Sequence, residues 1–576
     1  MRKKKQSFDL RLILAQENAT VGDLRGNADK VLESVSQAKE WEADLIVFPE
    51  LFLAGYPPED LLLHPAFVSD NLVQIKELSR QIEGIIAIVG FVDRDAKGNL
   101  YNAAALILNR RLAGVIHKIC LPNYGVFDEK RYFTPGDLPT LLSLGEISIG
   151  INICEDIWVP DGPVAVQAKS GGAKLLINLS ASPFHSGKVG LREKVLRDHA
   201  KQHHLYMSYT NLVGGQDELV FDGTSMVVGP SGRLLAMAPF CQEELLVVDI
   251  PWNELRVSRK KAKQIHRISI PGFVPTAKTK KITRWVSQRP ERLAEIYQAL
   301  VLGTRDYVRK NGFEKVVIGL SGGIDSALTA VIAAEALGKE NVIGATLPSL
   351  FSSMETKTDA RIVAENLGIT FVEIPIHAIF QSYLETLKPV FEGTKPDIAE
   401  ENIQARIRGN LLMALSNKLG WLVLTTGNKS EFSTGYCTLY GDMSGGFAVI
   451  KDVPKTLVYE LAQYRNRKGT SPVIPQTILD RLPTAELKPN QTDQDTLPPY
   501  GLLDQIIEAY VEQDKSLEQV VRKVDRAEIV QKMIRMIDGN EYKRRQAPPG
   551  IKITPRAFGK DRRFPITNRY RSLRNA

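Results

Sequence analysis

The segment KVVIGLSGGIDSALTAVIAAEAL, residues 315–337, indicates the fold of the half of the chain in which it lies. It joins an apolar, strand-like run to an apolar, helix-like run through the glycine-rich loop GLSGGIDS at 319–326. A loop of this kind presents backbone N–H groups at a helix N-terminus, where an anion binds, and its glycines let a phosphate approach the backbone. A simple strand-to-helix turn without a ligand is the alternative interpretation.

Strands and helices alternate around this loop. Strand-like runs at 315–320, 342–348, 370–376 and 421–426 are separated by helix-like runs at 324–337, 355–367 and 402–418. This alternation predicts an α/β domain with a doubly wound parallel sheet, which binds its ligands at the carboxyl ends of its strands.

The first half of the chain carries a different pattern, in which the apolar runs are short and continuous. Such runs are typical of strands covered on both faces. They lie at 44–49, 85–92, 105–109, 147–153, 174–181, 205–212 and 245–250. Because 576 residues exceed what one core organises, we predict a first domain at 1–255, a basic linker at 256–290 and a second domain at 291–576.

Composition places the chain among ordinary globular proteins, since 43% of its residues are hydrophobic and 24% are charged. No apolar run reaches the roughly 18 residues of a membrane span, and the basic N-terminus lacks a signal-peptide pattern. The four cysteines form no CxxC pair, which favours a reducing compartment. We therefore expect a cytoplasmic protein with no membrane partner.

The formal net charge of +8 is concentrated in two basic runs, at 256–284 and 541–576. Such runs can bind nucleic acid, but no RNA motif or helix-turn-helix accompanies them. We interpret them as a solvated linker and tail, or as a surface that attracts anionic metabolites, and we expect no nucleic-acid partner.

Three chemically capable side chains of the first half each follow a strand-like run: Glu50, Lys118 and Cys154. The carboxyl ends of strands are where α/β folds expose side chains to ligands. A cysteine becomes a nucleophile when a base and a nearby cation activate its thiol, and a glutamate and a lysine can supply both effects. A buried structural cysteine and a capping glutamate are the alternative interpretations.

The segments around these residues, FPELFLAGYPPEDLL, HKICLPNYGVFDEKRYF and INICEDIWVP, resemble the carbon–nitrogen hydrolase (nitrilase) superfamily. The resemblance implies an α-β-β-α sandwich in which Glu50 is the general base, Cys154 is the nucleophile and Lys118 stabilises the tetrahedral intermediate. It also implies that Glu129 orients Lys118. The segments NLSASPFHSGK and NLVGGQDELVFDGTS are similar to the glutaminase domains of glutamine-dependent NAD synthetases. This similarity implies that glutamine is held by Tyr124, Ser182 and Lys188.

Asp325 stands beside the glycine-rich loop, where its carboxylate would repel a phosphate unless a cation lies between them. Mg²⁺ is the cation expected there. The loop resembles the pyrophosphate loop of ATP pyrophosphatases, which transfer AMP and release pyrophosphate. It lacks the lysine of a Walker A loop, and that absence suits cleavage between the α- and β-phosphates.

Further segments resemble NAD synthetases: LPSLFSSMETKTDA at 347–360, ENIQARIRGNLLMALSN at 401–417, TTGNKSEFSTGYCTLYGD at 425–442, LPTAEL at 482–487 and the C-terminal NEYKRRQAP. The resemblance implies ATP-binding positions at Gly319, Leu320, Ser321, Gly322, Gly323, Ile324, Asp325, Ser326, Thr426, Lys455 and Thr484. It implies contacts with deamido-NAD at Asn402, Arg406, Glu431, Tyr436 and Lys543, and a metal site at Asp325 and Glu431.

Asn402 and Arg406 are four residues apart in a helix-like run and therefore share a face, whereas Arg408 is expected on roughly the opposite face. An ordinary amphipathic helix with exposed arginines is the alternative interpretation. The chain also departs from the ammonia-dependent relatives, which carry a lysine in place of Leu439 and tend to carry histidine in place of Tyr542. Those departures leave the individual contacts of residues 436–439 open.

The implied reaction is the ATP-dependent amidation of nicotinic acid adenine dinucleotide by ammonia from glutamine, with Mg²⁺ as cofactor. Because ammonia is mostly protonated at neutral pH, two sites on one chain predict a shielded tunnel between them. Relatives suggest a homo-oligomer. A GMP-synthetase-like amidotransferase and a nucleic-acid-modifying protein with the same class of loop are the alternatives.

Overall fold

The structure is a computed structural model that describes residues 9–256, 264–282, 285–469, 471–484, 486–488 and 491–570. It divides into two compact units, one of Met1–Gln216 with Val220–Pro290 and one of Asp217–Leu219 with Glu291–Ala576. Residues 257–263 and 283–284 of the predicted linker and residues 571–576 of the basic tail lie outside the described residues. Among the helices described, none combines the length and the apolar character that crossing a bilayer requires.

The first unit contains two large mixed sheets and a short hairpin. Its strands are β1 Asp9–Gln16, β2 Leu45–Val47, β3 Ile86–Arg94, β4 Leu100–Leu108, β5 Arg111–His117, β6 Thr140–Leu144, β7 Ile147–Ile153, β8 Leu175–Ser180, β9 Tyr206–Asn211, β10 Val213–Gln216, β11 Leu219–Asp222, β12 Met226–Val228, β13 Leu234–Met237, β14 Glu244–Pro251 and β15 His266–Ile270. Its helices are α1 Leu24–Glu40, α2 Pro65–Gln81, α3 Pro163–Lys169, α4 Lys188–His203 and α5 Trp252–Leu255. The sheet orders are β14-β1-β2-β3-β4-β5 and β13-β12-β9-β8-β7-β6-β15.

Apolar side chains of both sheets share one core, which makes the unit an α-β-β-α sandwich. Leu14 and Val47 of the first sheet belong to the same buried cluster as Ile149 and Ile177 of the second. On the outer face of the second sheet, α3 and α4 contribute to a separate apolar cluster. Because both faces of β7 and β8 are covered, these strands are buried throughout and their sequences are mostly apolar.

Part of the predicted linker belongs to the second sheet. Strand β15 pairs in parallel with β6, with His266 opposite Thr140 and Ile270 opposite Leu144. The flanking basic residues hide this edge strand from a periodicity reading, because only Ile268 of its five residues is buried. The domain limits at 255 and 291 stay a prediction.

The second unit is built on a five-stranded, all-parallel sheet of order β18-β17-β16-β19-β20. Its strands are β16 Val316–Gly319, β17 Val342–Thr346, β18 Thr370–Glu373, β19 Leu422–Thr425 and β20 Phe447–Ala448. Its helices are α6 Arg292–Lys310, α7 Ile324–Leu337, α8 Met354–Leu367, α9 His377–Leu387, α10 Ile398–Leu419, α11 Lys429–Thr434, α12 Lys455–Lys468, α13 Gln476–Asp480, α14 Tyr500–Ile507, α15 Leu517–Val524, α16 Ala527–Gly539 and α17 Glu541–Arg544. The chain progresses to one side of β16 through β17 and to the other through β19, so a crevice opens beyond the carboxyl end of β16.

The predicted fold class is confirmed for both halves. All four strand-like runs predicted in the second half are strands of the parallel sheet. The sequence reading missed the C-terminal helices α14 to α16, which form an apolar cluster of their own. It also missed the short strands β10 to β13, whose lengths of three or four residues give too little pattern to recognise.

Candidate active sites

Glu50, Lys118 and Cys154 come together at one end of the first unit's sheets. Glu50 lies three residues after β2, Lys118 directly follows β5, and Cys154 directly follows β7. All three side chains are buried. Cys154 has a φ of 42°, in the left-handed region that non-glycine residues rarely adopt, and strain of this kind clusters at functional sites.

Lys118 lies between two carboxylates. Its Nζ is 2.6 Å from Oε1 of Glu50 and 2.8 Å from Oε1 of Glu129. Burial alone would lower the pKa of Lys118, but Glu129 and Glu50 raise it well above its ordinary value. Burial raises the pKa of Glu129 to about 7, although Lys118 opposes the shift. The lysine therefore stays charged and supplies a fixed positive centre beside the thiol.

Groups that the sequence reading missed hold the two glutamates. The amide of Asn102 donates to Oε1 of Glu50 at 2.7 Å, and the N–H of Ala181 donates to its Oε2 at 2.9 Å. The hydroxyl of Tyr56 donates to Oε1 of Glu129 at 2.9 Å. The sequence did not pair these groups with the glutamates, because each contact joins segments that are distant along the chain.

Cys154 is a buried, neutral thiol in this arrangement. Burial and the charge of Glu50 raise its pKa well above the ordinary value, while Lys118 acts in the opposite direction. A thiol with a raised pKa attacks a carbonyl only if a base takes its proton during the attack. Of the carboxylates that act on this thiol, Glu50 has the largest effect, ahead of Glu129 and Glu155.

Of the three positions predicted to hold glutamine, Tyr124 and Lys188 lie within electrostatic reach of the same thiol. The Tyr124 side chain is exposed, and its hydroxyl lies 3.0 Å from a carboxylate oxygen of Glu155. Lys188 is the first residue of α4, with its Nζ 4.6 Å from the ring centroid of Trp158. Burial, and then the charge of Arg192, lower the pKa of Lys188 to about 8.

Ser182 is buried beside these groups, and its N–H donates to Oδ1 of Asn211 at 2.9 Å. The guanidinium of Arg192 reaches the carbonyl of Ser182 at 3.4 Å and forms a fully buried ion pair with Asp222. This ion pair was missed by the sequence reading, since an arginine on a helix ordinarily faces solvent.

The second site is a cavity of about 430 Å³ at the carboxyl end of β16. The whole loop from Gly319 to Ser326 lines it, between β16 and the N-terminus of α7. The cavity is also lined by the predicted residues Asn402, Thr426, Glu431, Tyr436, Lys455, Thr484 and Lys543. The structure therefore brings nearly all of the predicted nucleotide positions to one surface.

The loop has a shape that only glycine allows at one position. Gly322 has a φ of 80°, and a Cβ there would lie 2.1 Å from the carbonyl oxygen of Thr356. The hydroxyls of Ser321 and Ser326 are 3.2 Å apart across the loop. The carbonyl of Gly322 accepts a hydrogen bond of 3.1 Å from Arg481, which also forms an ion pair with Asp359.

Asp325 and Glu431, the predicted metal pair, share one cationic neighbour. Nζ of Lys455 is 2.5 Å from Oδ2 of Asp325 and 3.4 Å from Oε1 of Glu431. Burial raises the pKa of Glu431 to about 8, although the charge of Lys455 opposes the shift, and the pKa of Lys455 is raised by both carboxylates. The amide of Asn428 donates to Oδ1 of Asp325 at 2.9 Å.

This donor set fits Mg²⁺. In the part of the chain that the structure describes, no cluster of three or more His, Cys, Asp or Glu could hold a metal. Mg²⁺ in nucleotide sites, however, is commonly bound through one or two carboxylates together with substrate phosphates. The lysine between the two carboxylates also shows that this point of the site accepts a positive charge.

Helix α10 presents a different face to the cavity from the one predicted. Arg408 lines the cavity, whereas Arg406 does not and instead donates from Nε to the carbonyl of Leu439 at 3.2 Å. Arg408 therefore lies on a different face of α10 from Arg406, as expected, and it is the face of Arg408 that meets the cavity. The cavity-lining positions are Ile398, Glu401, Asn402, Ala405, Arg408, Gly409 and Leu412. These positions recur every three or four residues and therefore form one stripe along the helix. Asn402 belongs to this stripe, and Arg406 lies outside it.

The structure also shows the contacts of residues next to Leu439 and Tyr542, the two positions at which the chain departs from its ammonia-dependent relatives. Tyr436 and Cys437 line the cavity, and Thr438 donates to the side chain of Asn402 at 2.8 Å. Nζ of Lys543 donates to the carbonyls of Gly435 and Cys437 at 2.8 and 2.9 Å. Arg481 and Asp359 were not singled out from the sequence, although Asp359 lies within the quoted segment 347–360.

Comparisons with protein families match the two halves of the chain, and thus the two sites, to two different families. Residues 12–260 match the carbon-nitrogen hydrolase family, and residues 296–547 match the NAD synthase family. Fold and sites together define a two-domain protein that combines a carbon–nitrogen hydrolase with an NAD synthase.

Full-length relatives identify the family. The chain is 51% identical to the glutamine-dependent NAD(+) synthetase of Thermotoga maritima over 572 residues, which cover 98% of this chain and 99% of the relative. It is 47% identical to that of Aquifex aeolicus, covering 97% of this chain and the whole relative. The solved glutamine-dependent NAD+ synthetase of Acinetobacter baumannii, in complex with ADP, matches with 42% identity and a TM-score of 0.74 over 97% of this chain and 99% of that one. The chain belongs to the glutamine-dependent NAD(+) synthetases.

Proposed function

We propose that the protein converts nicotinic acid adenine dinucleotide to NAD(+), using ATP and ammonia that it releases from glutamine. The products are NAD(+), AMP, pyrophosphate and glutamate. One observation carries the proposal: a buried Glu50–Lys118–Cys154 centre and a glycine-rich loop bearing Asp325 occur in one chain. The first can hydrolyse an amide, and the second can bind the phosphates of ATP.

In the first site, Glu50 takes the proton of the Cys154 thiol as the sulfur attacks the amide carbon of glutamine. The charged Nζ of Lys118 stabilises the oxyanion that forms on the amide oxygen. The proton passes to the amide nitrogen, the C–N bond breaks, and ammonia leaves a glutamyl thioester. Glu50 then removes a proton from a water molecule, which hydrolyses the thioester to glutamate and the free thiol.

Tyr124, Ser182 and Lys188 hold glutamine for this reaction. The ammonium of Lys188 is suited to the α-carboxylate of glutamine, because it is mostly buried and lies within the electrostatic reach of Cys154. Glu129 is assigned to orienting Lys118, since its Oε1 lies 2.8 Å from Nζ.

In the second site, the carboxylate of the dinucleotide attacks the α-phosphorus of ATP, and the bond to the β-phosphate breaks. Backbone N–H groups of residues 319–326 and the hydroxyls of Ser321 and Ser326 hold the departing pyrophosphate. Ammonia then attacks the acyl adenylate, and AMP leaves as the amide forms. Thr426, Lys455 and Thr484 are assigned to ATP because they line the same cavity.

Asp325 and Glu431 are the residues that would hold Mg²⁺. When bound with ATP, Mg²⁺ would neutralise charge on the phosphate oxygens. Lys455 lies against both carboxylates and keeps them in place by its charge.

For the dinucleotide we assign Asn402, Glu431, Tyr436 and Lys543, which line the cavity. Arg406 was predicted at this position, and Arg408 is the arginine of α10 that the cavity contains. Its guanidinium is mostly buried and bonded to the carbonyl of Leu347 at 2.9 Å. We therefore assign the role predicted for Arg406 to Arg408.

Pyrophosphate release tests the substrate. With ATP, Mg²⁺ and ammonium, the protein is expected to release pyrophosphate and AMP when nicotinic acid adenine dinucleotide is added, but not when xanthylate is added. The reverse pattern would establish a GMP-synthetase-like enzyme. Binding to RNA that weakens with salt, without substrate-dependent pyrophosphate release, would favour a nucleic-acid-modifying protein.

A cytoplasmic homo-oligomer is part of this proposal. Helices α9 and α10 and their flanks expose large apolar side chains: Ile379, Tyr383, Val390, Ile398 and Leu419. A second copy of the chain would cover it. Light scattering that gives the mass of one chain of 64.0 kDa would contradict this assignment.

Direct passage of ammonia to the second site is also proposed. Glutamine-driven NAD(+) synthesis should then continue when an ammonia-consuming enzyme is added in excess. Complete suppression by that enzyme would show that ammonia is released to solvent.

A further inference from the structure

Asp156 connects the two chain segments that carry Lys118 and Cys154. Its Oδ1 accepts hydrogen bonds from the N–H of Ile119 at 3.2 Å and from the N–H of Cys120 at 2.8 Å. Its Oδ2 accepts a hydrogen bond from the N–H of Ile153 at 3.0 Å. The Asp156 residue is only 2% exposed, so these contacts form inside the core.

The bonded N–H groups belong to the immediate neighbours of the reacting residues. Ile119 follows Lys118, and Ile153 precedes Cys154. The carboxylate thus joins the end of β5, on one sheet, to the end of β7, on the other. The ion pairs with Glu50 and Glu129 hold the ammonium of Lys118, and the bridge through Asp156 adds a direct link between the backbones of the lysine and cysteine segments.

Cys154 needs such a restraint because its backbone is strained. A φ of 42° is unfavourable for a side chain with a Cβ and persists only where neighbouring contacts impose it. Asp156 lies in the single 3₁₀ turn Cys154–Ile157, and its bond to Ile153 closes that turn from the inside.

We propose that Asp156 is a positioning residue of the glutaminase centre, and that it fixes the separation of the Lys118 and Cys154 segments. The inference rests on the function proposed above. Asp156 contacts neither the glutamine-holding residues nor any residue of the second site in the hydrogen bonds described. Its loss should therefore slow the chemical step without weakening glutamine binding.

Two further groups act on the carboxylate of Asp156 in the described part of the chain. Besides the three N–H groups, the thiol of Cys120 donates to it, and the charge of Lys118 acts on it. Asp156→Asn keeps an oxygen for Ile119 and Cys120 but turns an N–H toward the N–H of Ile153. Asp156→Ala removes every bond, and the two variants therefore form a graded series.

The experiment measures glutamine hydrolysis by the full-length protein, normalised to the folded fraction from thermal melts. We expect kcat to fall about 10-fold in Asp156→Asn and about 100-fold in Asp156→Ala, as for a misplacement of about 1 Å. KM for glutamine should stay within about twofold, and NAD(+) synthesis from ammonium should match the wild type.

Asp23→Ala is the matched control, because Asp23 also caps a helix of the first unit by accepting from the N–H of Gly26. It should lower the melting temperature and leave kcat unchanged. The inference is overturned if both Asp156 variants keep wild-type kcat per folded molecule, or if KM for glutamine rises instead. An Asp156→Ala protein that does not fold leaves Asp156→Asn to decide. A wild-type protein that does not hydrolyse glutamine would refute the proposed function itself.

Discussion

Replacement of Gly322 by alanine tests whether the shape of the glycine-rich loop controls catalysis. The residue has a φ of 80°, and an added Cβ would lie 2.1 Å from the carbonyl oxygen and 2.8 Å from the carbonyl carbon of Thr356. Thr356 belongs to the first turn of α8, so the clashing atoms are backbone and cannot rotate away. The loop itself must therefore move.

The size of the loop movement follows from comparing the 2.1 Å contact with an ordinary contact distance. Ordinary contact begins at 3.4 Å, so relieving the clash requires a shift of about 1.3 Å, the difference from 2.1 Å. A misplacement of about 1 Å costs roughly 100-fold in rate, which corresponds to about 2.7 kcal/mol in the barrier. The left-handed backbone adds about 1–2 kcal/mol to the loss of folding stability.

The assay is pyrophosphate release with ammonium as the nitrogen source, together with glutamine hydrolysis by the same preparation. Gly322→Ala should lose about 100-fold in the first and nothing in the second. Gly312→Ala is the matched control, since Gly312 has a φ of 78° but nothing within 4 Å of an added Cβ. It should lose stability and keep both activities. Wild-type pyrophosphate release by Gly322→Ala would refute the assigned role of the loop.

Two further predictions concern charge. Lys455→Met leaves two half-buried carboxylates without their shared cation, so NAD(+) formation from either nitrogen source should fall by at least about 100-fold, while glutamine hydrolysis continues. The variant should also gain more melting temperature from added Mg²⁺ than the wild type does, and an equal gain would contradict the assignment of the carboxylates. Because burial lowers the pKa of Lys188 to about 8, its ammonium is charged below that pH and neutral above it. KM for glutamine should then rise above pH 8 in the wild type and stay flat in Lys188→Arg, and a flat wild-type profile would exclude Lys188 from carboxylate binding.

The sequence predicted the elements whose pattern is local. The glycine-rich loop lies between a strand and a helix that are contiguous in sequence, and β7 was predicted with the bounds that the structure shows. Glu50, Lys118 and Cys154 were identifiable because each follows a strand, and the sheets bring those strand ends together.

The rest depends on contacts between distant segments. Asn102 bonds Glu50 within one sheet and Asp156 bonds Cys120 across the sandwich, and no spacing in the sequence encodes such distant pairs. Arg406 and Arg408 show the limit of helical geometry, because periodicity defines relative faces but not which face meets the cavity. Strand β15 was not predicted either, because its place in the sheet is set by pairing with the distant strand β6.

The most direct test of the two-site account is NAD(+) formation by Cys154→Ala from glutamine and, separately, from ammonium. The account predicts that synthesis from glutamine is abolished, while synthesis from ammonium keeps its wild-type rate, because the sulfur acts only in releasing ammonia. Equal loss of both activities in a folded variant, or continued synthesis from glutamine, would contradict it.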